Sequence, residues 1–394
     1  MKFFTPSSDP QEGLGVLLLF RLIEESVPAF FHADRPIRIV RAPGRLDVFG
    51  GRAAGPGALV LQLPIAEGAC AAIQARDDDL VRLWSPCRDG SRTQLLSMQL
   101  QDLGLPQQPI DYEEARALFG GDPRDRWAGY LLGALVVLAR ECGLRPSRGV
   151  EFLLHSDIPE GRGVSASAAI TVAALRAFAV HYEVELGADR LAALAALVEA
   201  EVQRTPARIV DGRTVVSAKA GELLAQRDGV VEASVVVPMD LEFVGLESGA
   251  PTVAAHGADD HDDDAAAERF RELLAREPAQ DLRHQLGDVL FAAHAAYGVH
   301  GRNDVATDLI VATAKRRRDA GGGIFGAKAT GRGGGTVVLL GERGKVWYEA
   351  LRIKKALLQA TGHSGHVFRW SSPGALAFGS IELQPNSRPP GGIA

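Results

Sequence analysis

Several things are scarce in this chain of 394 residues, and each scarcity narrows what it can be. Its three cysteines, Cys70, Cys87 and Cys142, stand far apart with no C-x-x-C pair, which argues against a disulfide framework or a zinc site and for buried or idle thiols in a reducing cytoplasm. Long hydrophobic runs are missing. The longest early one, Val16 to Phe20, is far shorter than a membrane span, follows acidic residues unlike a secretion signal, and reads as one face of an N-terminal helix. Positive charge is not in excess either: 43 basic against 49 acidic residues give −6 and a pI near 6.0, so neither nucleic acid nor an anionic membrane is an expected partner. There is no internal repeat and no low-complexity tract. What remains, 46% hydrophobic and 23% charged, is ordinary globular material, long enough for about two or three domains.

The most informative segment runs from His155 to Ala169, where a hydrophobic run ends in Ser156-Asp157-Ile158-Pro159-Glu160-Gly161-Arg162-Gly163-Val164-Ser165-Ala166-Ser167 and an alanine-rich helical pattern begins. A strand feeding a glycine loop and a helix start leaves backbone N–H groups unpaired and converging, as a chain of phosphates requires. Neither common phosphate fingerprint is present: there is no G-x-x-x-x-G-K-[ST], and Gly161-Arg162-Gly163 does not continue as G-x-G-x-x-G. A tight turn is the plain alternative, and the loop gains its meaning from the motifs around it.

Along the chain, Ile37 to Arg41 and Gly57 to Leu63 read as strands flanking a glycine-rich turn, followed by strands at Gly68 to Ala75 and Leu80 to Trp84. Helical patterns follow at Arg126 to Cys142, Ser167 to Val184 and Asp189 to Val202, with a short buried strand at Val150 to His155. Val230 to Val237 and Leu241 to Leu246 alternate like the two strands of a hairpin. The acidic run Ala258 to Ala265 lacks the glycine of a calcium loop and reads as an exposed linker. Mixed helix and strand signals resume from Ala267, suggesting a second α+β unit.

Two further motifs frame the phosphate loop: Arg41-Ala42-Pro43-Gly44-Arg45-Leu46-Asp47-Val48-Phe49-Gly50-Gly51, and Gly326-Ala327-Lys328-Ala329-Thr330-Gly331-Arg332-Gly333-Gly334-Gly335-Thr336. The three together, in this order, resemble the motifs of the GHMP kinases, and within them the galactokinase and L-arabinokinase branch. Arg126-Trp127-Ala128 with Gly133, Leu286-Gly287-Asp288 continuing to His294 and Tyr297, Gly301 to Asp308, and Ser371 to Ala375 with Phe378-Gly379 extend the likeness over roughly residues 37 to 380. The resemblance implies an α+β two-domain fold, with an N-terminal ribosomal protein S5 domain 2-like unit over residues 1–240 and a C-terminal ferredoxin-like unit over 241–394. It implies ATP and Mg2+ in the cleft between them and phosphorylation of a small-molecule hydroxyl, a monosaccharide first, at the anomeric position or elsewhere, by a cytoplasmic monomer or homodimer.

By the same resemblance, Pro159, Gly161, Gly163, Val164, Ser165, Ser167 and Ala168 surround the ATP phosphates, with Gly331, Gly333 and Gly334 closing on them as a strand approach. Ser167 and Glu199 are the expected magnesium ligands, hard oxygens that leave most of the shell to water and phosphate. Ser165 and Ser167 could equally cap the following helix. Family members carry the glutamate on the second helix after the loop and an aspartate twelve residues on, just past a proline, which selects Asp211 beyond Pro206 as partner of the acceptor hydroxyl. A second register, anchored on Ala220-Gly221-Glu222, would put Thr214 there instead. Arg45 falls where the branch pairs an arginine with that aspartate, and Asp47 is the candidate to orient it by a charge-assisted bond; Lys328 and Arg332 are candidate phosphate contacts.

One departure bears on the acceptor. Where the branch has an Asp-Tyr pair after the first motif, this chain has Ala54-Gly55, and losing a carboxylate that accepts hydroxyl protons removes a contact worth roughly 1.5–3 kcal/mol. Two alternatives therefore stand beside the sugar kinase: a non-catalytic nucleotide- or sugar-binding pseudokinase, and a kinase for a non-sugar alcohol or acid in which Arg52 would favour an anionic group.

Overall fold

The structure, a computed structural model, describes residues 4–6, 14–26, 29–50, 56–87, 90–251, 262–276, 281–299, 303–330 and 334–385. Thirteen strands among these are β1 (Phe4–Pro6), β2 (Ile37–Phe49), β3 (Val60–Ala75), β4 (Leu80–Trp84), β5 (Leu95–Gln99), β6 (Val150–Ser156), β7 (Glu222–Arg227), β8 (Val230–Val236), β9 (Leu241–Glu247), β10 (Ile324–Thr330), β11 (Thr336–Glu342), β12 (Val367–Phe368) and β13 (Ile381–Pro385). They form two sheets. The larger runs β1-β13-β2-β3-β6-β4-β5, with β7 pairing the start of β3 and β8 pairing β7; the smaller runs β10-β11-β9-β12.

Burial explains why the two longest strands sit in the middle. β2 is buried at all but one of its positions, so both of its faces must be covered. One face meets the helices Ala128–Glu141, Ala166–His181 and Ala188–Leu197, whose apolar side chains form the main core with Val40, Ala42, Ala71 and Phe152. The other face is closed by the N-terminal helix Leu14–Arg21, through Val16, Leu19 and Phe20 against Ile37, Ile39 and Ala72. The helix Ala166–His181 is apolar almost all round and correspondingly buried, its alanines allowing it to lie close to β2 and β3.

The smaller sheet follows β9, helices, β10, β11, the helix Lys345–Thr361 and β12, in spatial order fourth-first-third-second, which is the ferredoxin-like βαββαβ arrangement. Its inner face packs with Ile310, Val311, Val346 and Ile353.

Three expectations change. The strands anticipated at Gly57 to Leu63 and Gly68 to Ala75 are one strand, β3, running through Pro64 opposite Arg45 with a register shift beside Pro43. β8 and β9 are not a hairpin: β8 pairs with β7 in the large sheet and β9 with β11 and β12 in the small one, so residues 237–240 pass from one sheet to the other. The acidic run is no exposed linker where it is described, since Asp262 opens the helix Asp262–Leu274 and Asp263 is buried, accepting from the Gly50 N–H at 2.9 Å and the Tyr297 hydroxyl at 2.7 Å. Asp264 accepts from the Leu59 N–H at 2.7 Å, so this helix start holds both ends of the segment between Gly50 and Leu59.

Candidate active site

Between β6 and the helix Ala166–His181 the chain reverses through three left-handed residues at alternate positions, Gly161 (φ 72°), Gly163 (φ 71°) and Ser165 (φ 61°). Alternation of this kind turns successive N–H groups inward and makes an anion-binding concavity at a helix start. A serine there is strained where glycine is not, and Ser165 makes no side-chain cap to the helix, so the capping alternative fails for it.

The loop is one wall of a cleft of about 810 Å³ lined by Gly161, Gly163, Ser165, Ser167 and Ala168, with Arg45, Glu199, Arg208 and Asp211 across from it. Pro159 and Val164 do not line this cleft; Val164 turns its side chain into the main core and its carbonyl accepts from the Arg45 N–H at 3.0 Å. The third motif approaches as expected: a Cβ on Gly334 would lie 2.0 Å from the carbonyl carbon of Arg162, and Thr336 donates to the Arg162 carbonyl at 2.7 Å. Gly331, Arg332 and Gly333, like Arg52, Ala54 and Gly55, lie outside the described residues. Lys328 is not a phosphate contact. It is fully buried, donates to the Val48 carbonyl at 3.1 Å, and sits over the rings of Phe49 and Tyr297 near Asp263.

Arg45 and Asp211, 166 residues apart in sequence, are joined. Arg45 Nε and Nη2 reach Asp211 Oδ1 at 3.1 and 3.0 Å, while Nη1 meets Asp47 Oδ2 at 2.8 Å and the Gly163 carbonyl at 2.7 Å. One guanidinium thus ties β2, the phosphate loop and the helix Ile209–Ser217 together. Burial works against charge on both sides of this pair, but the Arg45 and Arg208 cations prevail and hold the Asp211 carboxyl down at about 2; Asp47, completely buried, is pushed upward. Thr214, the residue of the second register, lies behind Asp211, buried, with its hydroxyl on Gln62.

Glu199 sits where the helix Ala188–Leu197 widens into the π-turn Val198–Val202, a distortion that re-aims a side chain. Its carboxylate takes a hydrogen bond from Ser167, and burial pushes it up to about 7, with the Asp211 charge adding to the rise and Ser167 and Arg45 resisting it. Two hard oxygens on the cleft wall beside a phosphate loop fit Mg2+, which takes few protein ligands. Sequence reasoning missed Gln62 and Arg208. Gln62, a lone amide in the apolar run Leu59 to Leu63, was the available signal; Arg208 had none beyond its neighbourhood to Asp211.

Residues 129–216 match the model of the GHMP kinases N terminal domain, which covers the phosphate loop, Glu199 and Asp211. The fold is that of solved GHMP kinases. Among curated GHMP relatives, L-arabinokinase of Arabidopsis thaliana is 25% identical over 90% of this chain and 47% of its own length. Galactokinase of Chloroflexus aurantiacus is 28% identical over 67% of this chain and 61% of its own. The chain thus spans about half to three fifths of the length of these relatives. In the solved GHMP structures, Lactococcus lactis galactokinase complexed with galactose superposes with a TM-score of 0.69 at 16% identity, covering 91% of this chain and 99% of that one. A mevalonate kinase superposes at 0.61 and 20% identity, over 85% and 99%. Among the described residues no helix is long and apolar enough to cross a membrane.

Proposed function

We propose that this chain transfers the γ-phosphoryl group of ATP to a hydroxyl of a monosaccharide, in the cytoplasm, with Mg2+ as the metal and Asp211 and Arg45 as the catalytic pair. The observation that carries the reading is the state of Asp211. Its Oδ1 takes every donor that reaches the carboxylate among the described residues, and its Oδ2 takes none, on the wall of the cleft that the phosphate loop closes. An acceptor hydroxyl donating to Oδ2 would be oriented towards a γ-phosphate seated on the amides of residues 161–168. With its pKa held at about 2, Asp211 is too weak a base to take the proton in the ground state. It fixes the hydroxyl by a hydrogen bond and accepts the proton late, as the new P–O bond makes that hydroxyl acidic and the bond to ADP breaks.

Phosphoryl transfer asks chiefly for positioning and charge stabilisation. Arg45 supplies charge beside the loop and holds Asp211; Ser167 and Glu199 would hold the magnesium ion, which offsets charge on the phosphates. The Arg45–Asp211 contact weighs against a pseudokinase, in which the carboxylate would face away. Arg208 favours a second reading of the acceptor. It lines the same cleft, donates to the Gly50 carbonyl at 3.0 Å, and suits a sugar or alcohol bearing an anionic group.

ADP release measured across neutral monosaccharides and their acidic counterparts tests both. Turnover with a neutral sugar supports the first reading, and turnover confined to acidic acceptors the second. Nucleotide binding without acceptor-dependent turnover would overturn the kinase.

A further inference from the structure

Gln62 lies on β3 with every atom buried, between two carboxylates. Its amide nitrogen donates to Asp47 Oδ1 at 2.6 Å and to Asp211 Oδ1 at 2.7 Å. Its oxygen accepts from the Thr214 hydroxyl at 2.5 Å and from Gln226 Nε2 at 3.2 Å. The orientation is forced from behind. Gln226 Nε2 donates to the Val210 carbonyl at 2.9 Å and to Thr214 Oγ1 at 2.8 Å, so the single hydroxyl proton of Thr214 is directed at Gln62, whose oxygen must face it. The reverse flip would set that oxygen against two anions.

The consequence falls on Asp211. An arginine and a carboxylate left to themselves favour a two-oxygen fork, each oxygen taking one N–H. Here Arg45 spends both Nε and Nη2 on Oδ1 alone, and the third donor on that oxygen is Gln62. We propose that Gln62 is a positioning residue of the phosphotransfer site: by bonding both carboxylates it stops Asp211 from turning into a fork with Arg45, and so keeps Oδ2 presented to the acceptor. This rests on the kinase reading above. It also gives a reason for a buried amide between Leu61 and Leu63.

The test compares Gln62→Leu with Gln62→Glu in the full chain. In Gln62→Leu, kcat should fall about 10- to 100-fold, the loss expected when a reacting group is misplaced, while KM for ATP and binding of a non-hydrolysable ATP analogue stay as in the wild type. In Gln62→Glu, nearly isosteric and thus a safeguard should the leucine variant not fold, the new carboxyl can donate only when protonated. Its kcat should be low at about pH 8 and recover relative to Gln62→Leu as the pH falls, because burial between two anions raises its pKa. Wild-type kcat in Gln62→Leu, or a Gln62→Glu variant with no recovery at low pH, would overturn the proposal. If the wild type turns over no acceptor, the kinase reading fails by itself, and Gln62 is then judged by the Asp211 carboxyl titration followed by carbon NMR. An upward shift of about one unit in the variant supports the role, and an unmoved titration rejects it.

Discussion

Asp211 and Glu199 are two carboxylates of one cleft driven in opposite directions, and the difference decides how pH acts on the site. Asp211 is lowered, so it stays ionised through the working range and adds native stability that is present above about pH 4 and lost as pH falls towards 2. Glu199 is raised to about 7, so its sign is reversed: the metal-free protein is relieved of the burial cost below about pH 4.5 and bears it increasingly as pH rises through 7. Glu199→Gln should therefore stabilise the metal-free protein by about 2–3 kcal/mol at pH 8 and by little at pH 4.5, read from denaturant unfolding at the two pH values. The same substitution should weaken magnesium. With limiting Mg2+, wild-type activity is expected to rise through pH 7 as Glu199 ionises, and with saturating Mg2+ that limb should move to lower pH; a limb independent of magnesium would assign the titration elsewhere. Asp211→Asn should cut kcat by about 10²–10⁴ while leaving nucleotide affinity in place, measured by steady-state kinetics and analogue binding.

At the scale of elements, the phosphate loop is a strained turn clamped by the strand approach of the third motif. Ser165→Gly, freeing a left-handed serine, should raise the melting temperature by an amount equivalent to about 1 kcal/mol, since no side-chain cap is lost. Gly334→Ala has no such room, its Cβ falling 2.0 Å from the Arg162 carbonyl carbon. Loss of about 1–3 kcal/mol of stability and a raised KM for ATP are expected, checked by unfolding and nucleotide titration. The turn of the loop was legible in the sequence because the residues that bend it are local, Gly161, Gly163 and the helix start lying within a few residues of each other, whereas its clamps from Arg45 and Thr336 were not. The β8 and β9 strands were legible as strands but not in their pairing, because alternation reports which faces are buried and not which neighbour buries them. β3 runs on through Pro64, which pairs with Arg45 beside the register shift near Pro43, so the two expected strands are continuous. Gln62 could not be given a role from its own surroundings, since its partners come from three distant segments: Asp47 from β2, Asp211 and Thr214 from the helix Ile209–Ser217, and Gln226 from β7.

Across the whole molecule the two sheets are joined where β2 ends, and the joint is polar. Thr330 donates to the Asp47 carbonyl, Lys328 to that of Val48, and Asp263 gathers the Gly50 N–H and the Tyr297 hydroxyl. Removing Asp263 would take the carboxylate from beside the buried Lys328 ammonium and the acceptor from the Gly50 N–H and Tyr297 hydroxyl, so Asp263→Ala should cost about 3–5 kcal/mol, with Lys328→Met added to it recovering part of the loss in a double-mutant cycle by unfolding. The acidic run that contains Asp263 misled because its composition describes solvation, whereas this one carboxylate is held by an amide, a hydroxyl and a nearby lysine that lie far along the chain.

β13 seats itself between β1 and β2, and Arg38 on β2 is bonded to Glu382, 344 residues further on. At translation speeds of about 5–20 residues per second, β2 leaves the ribosome about 20 to 70 s before the strand that covers its edge. During that interval the nascent N-terminal half exposes an unpaired, apolar hydrogen-bonding edge open to adventitious strands, until β13 arrives to seal it.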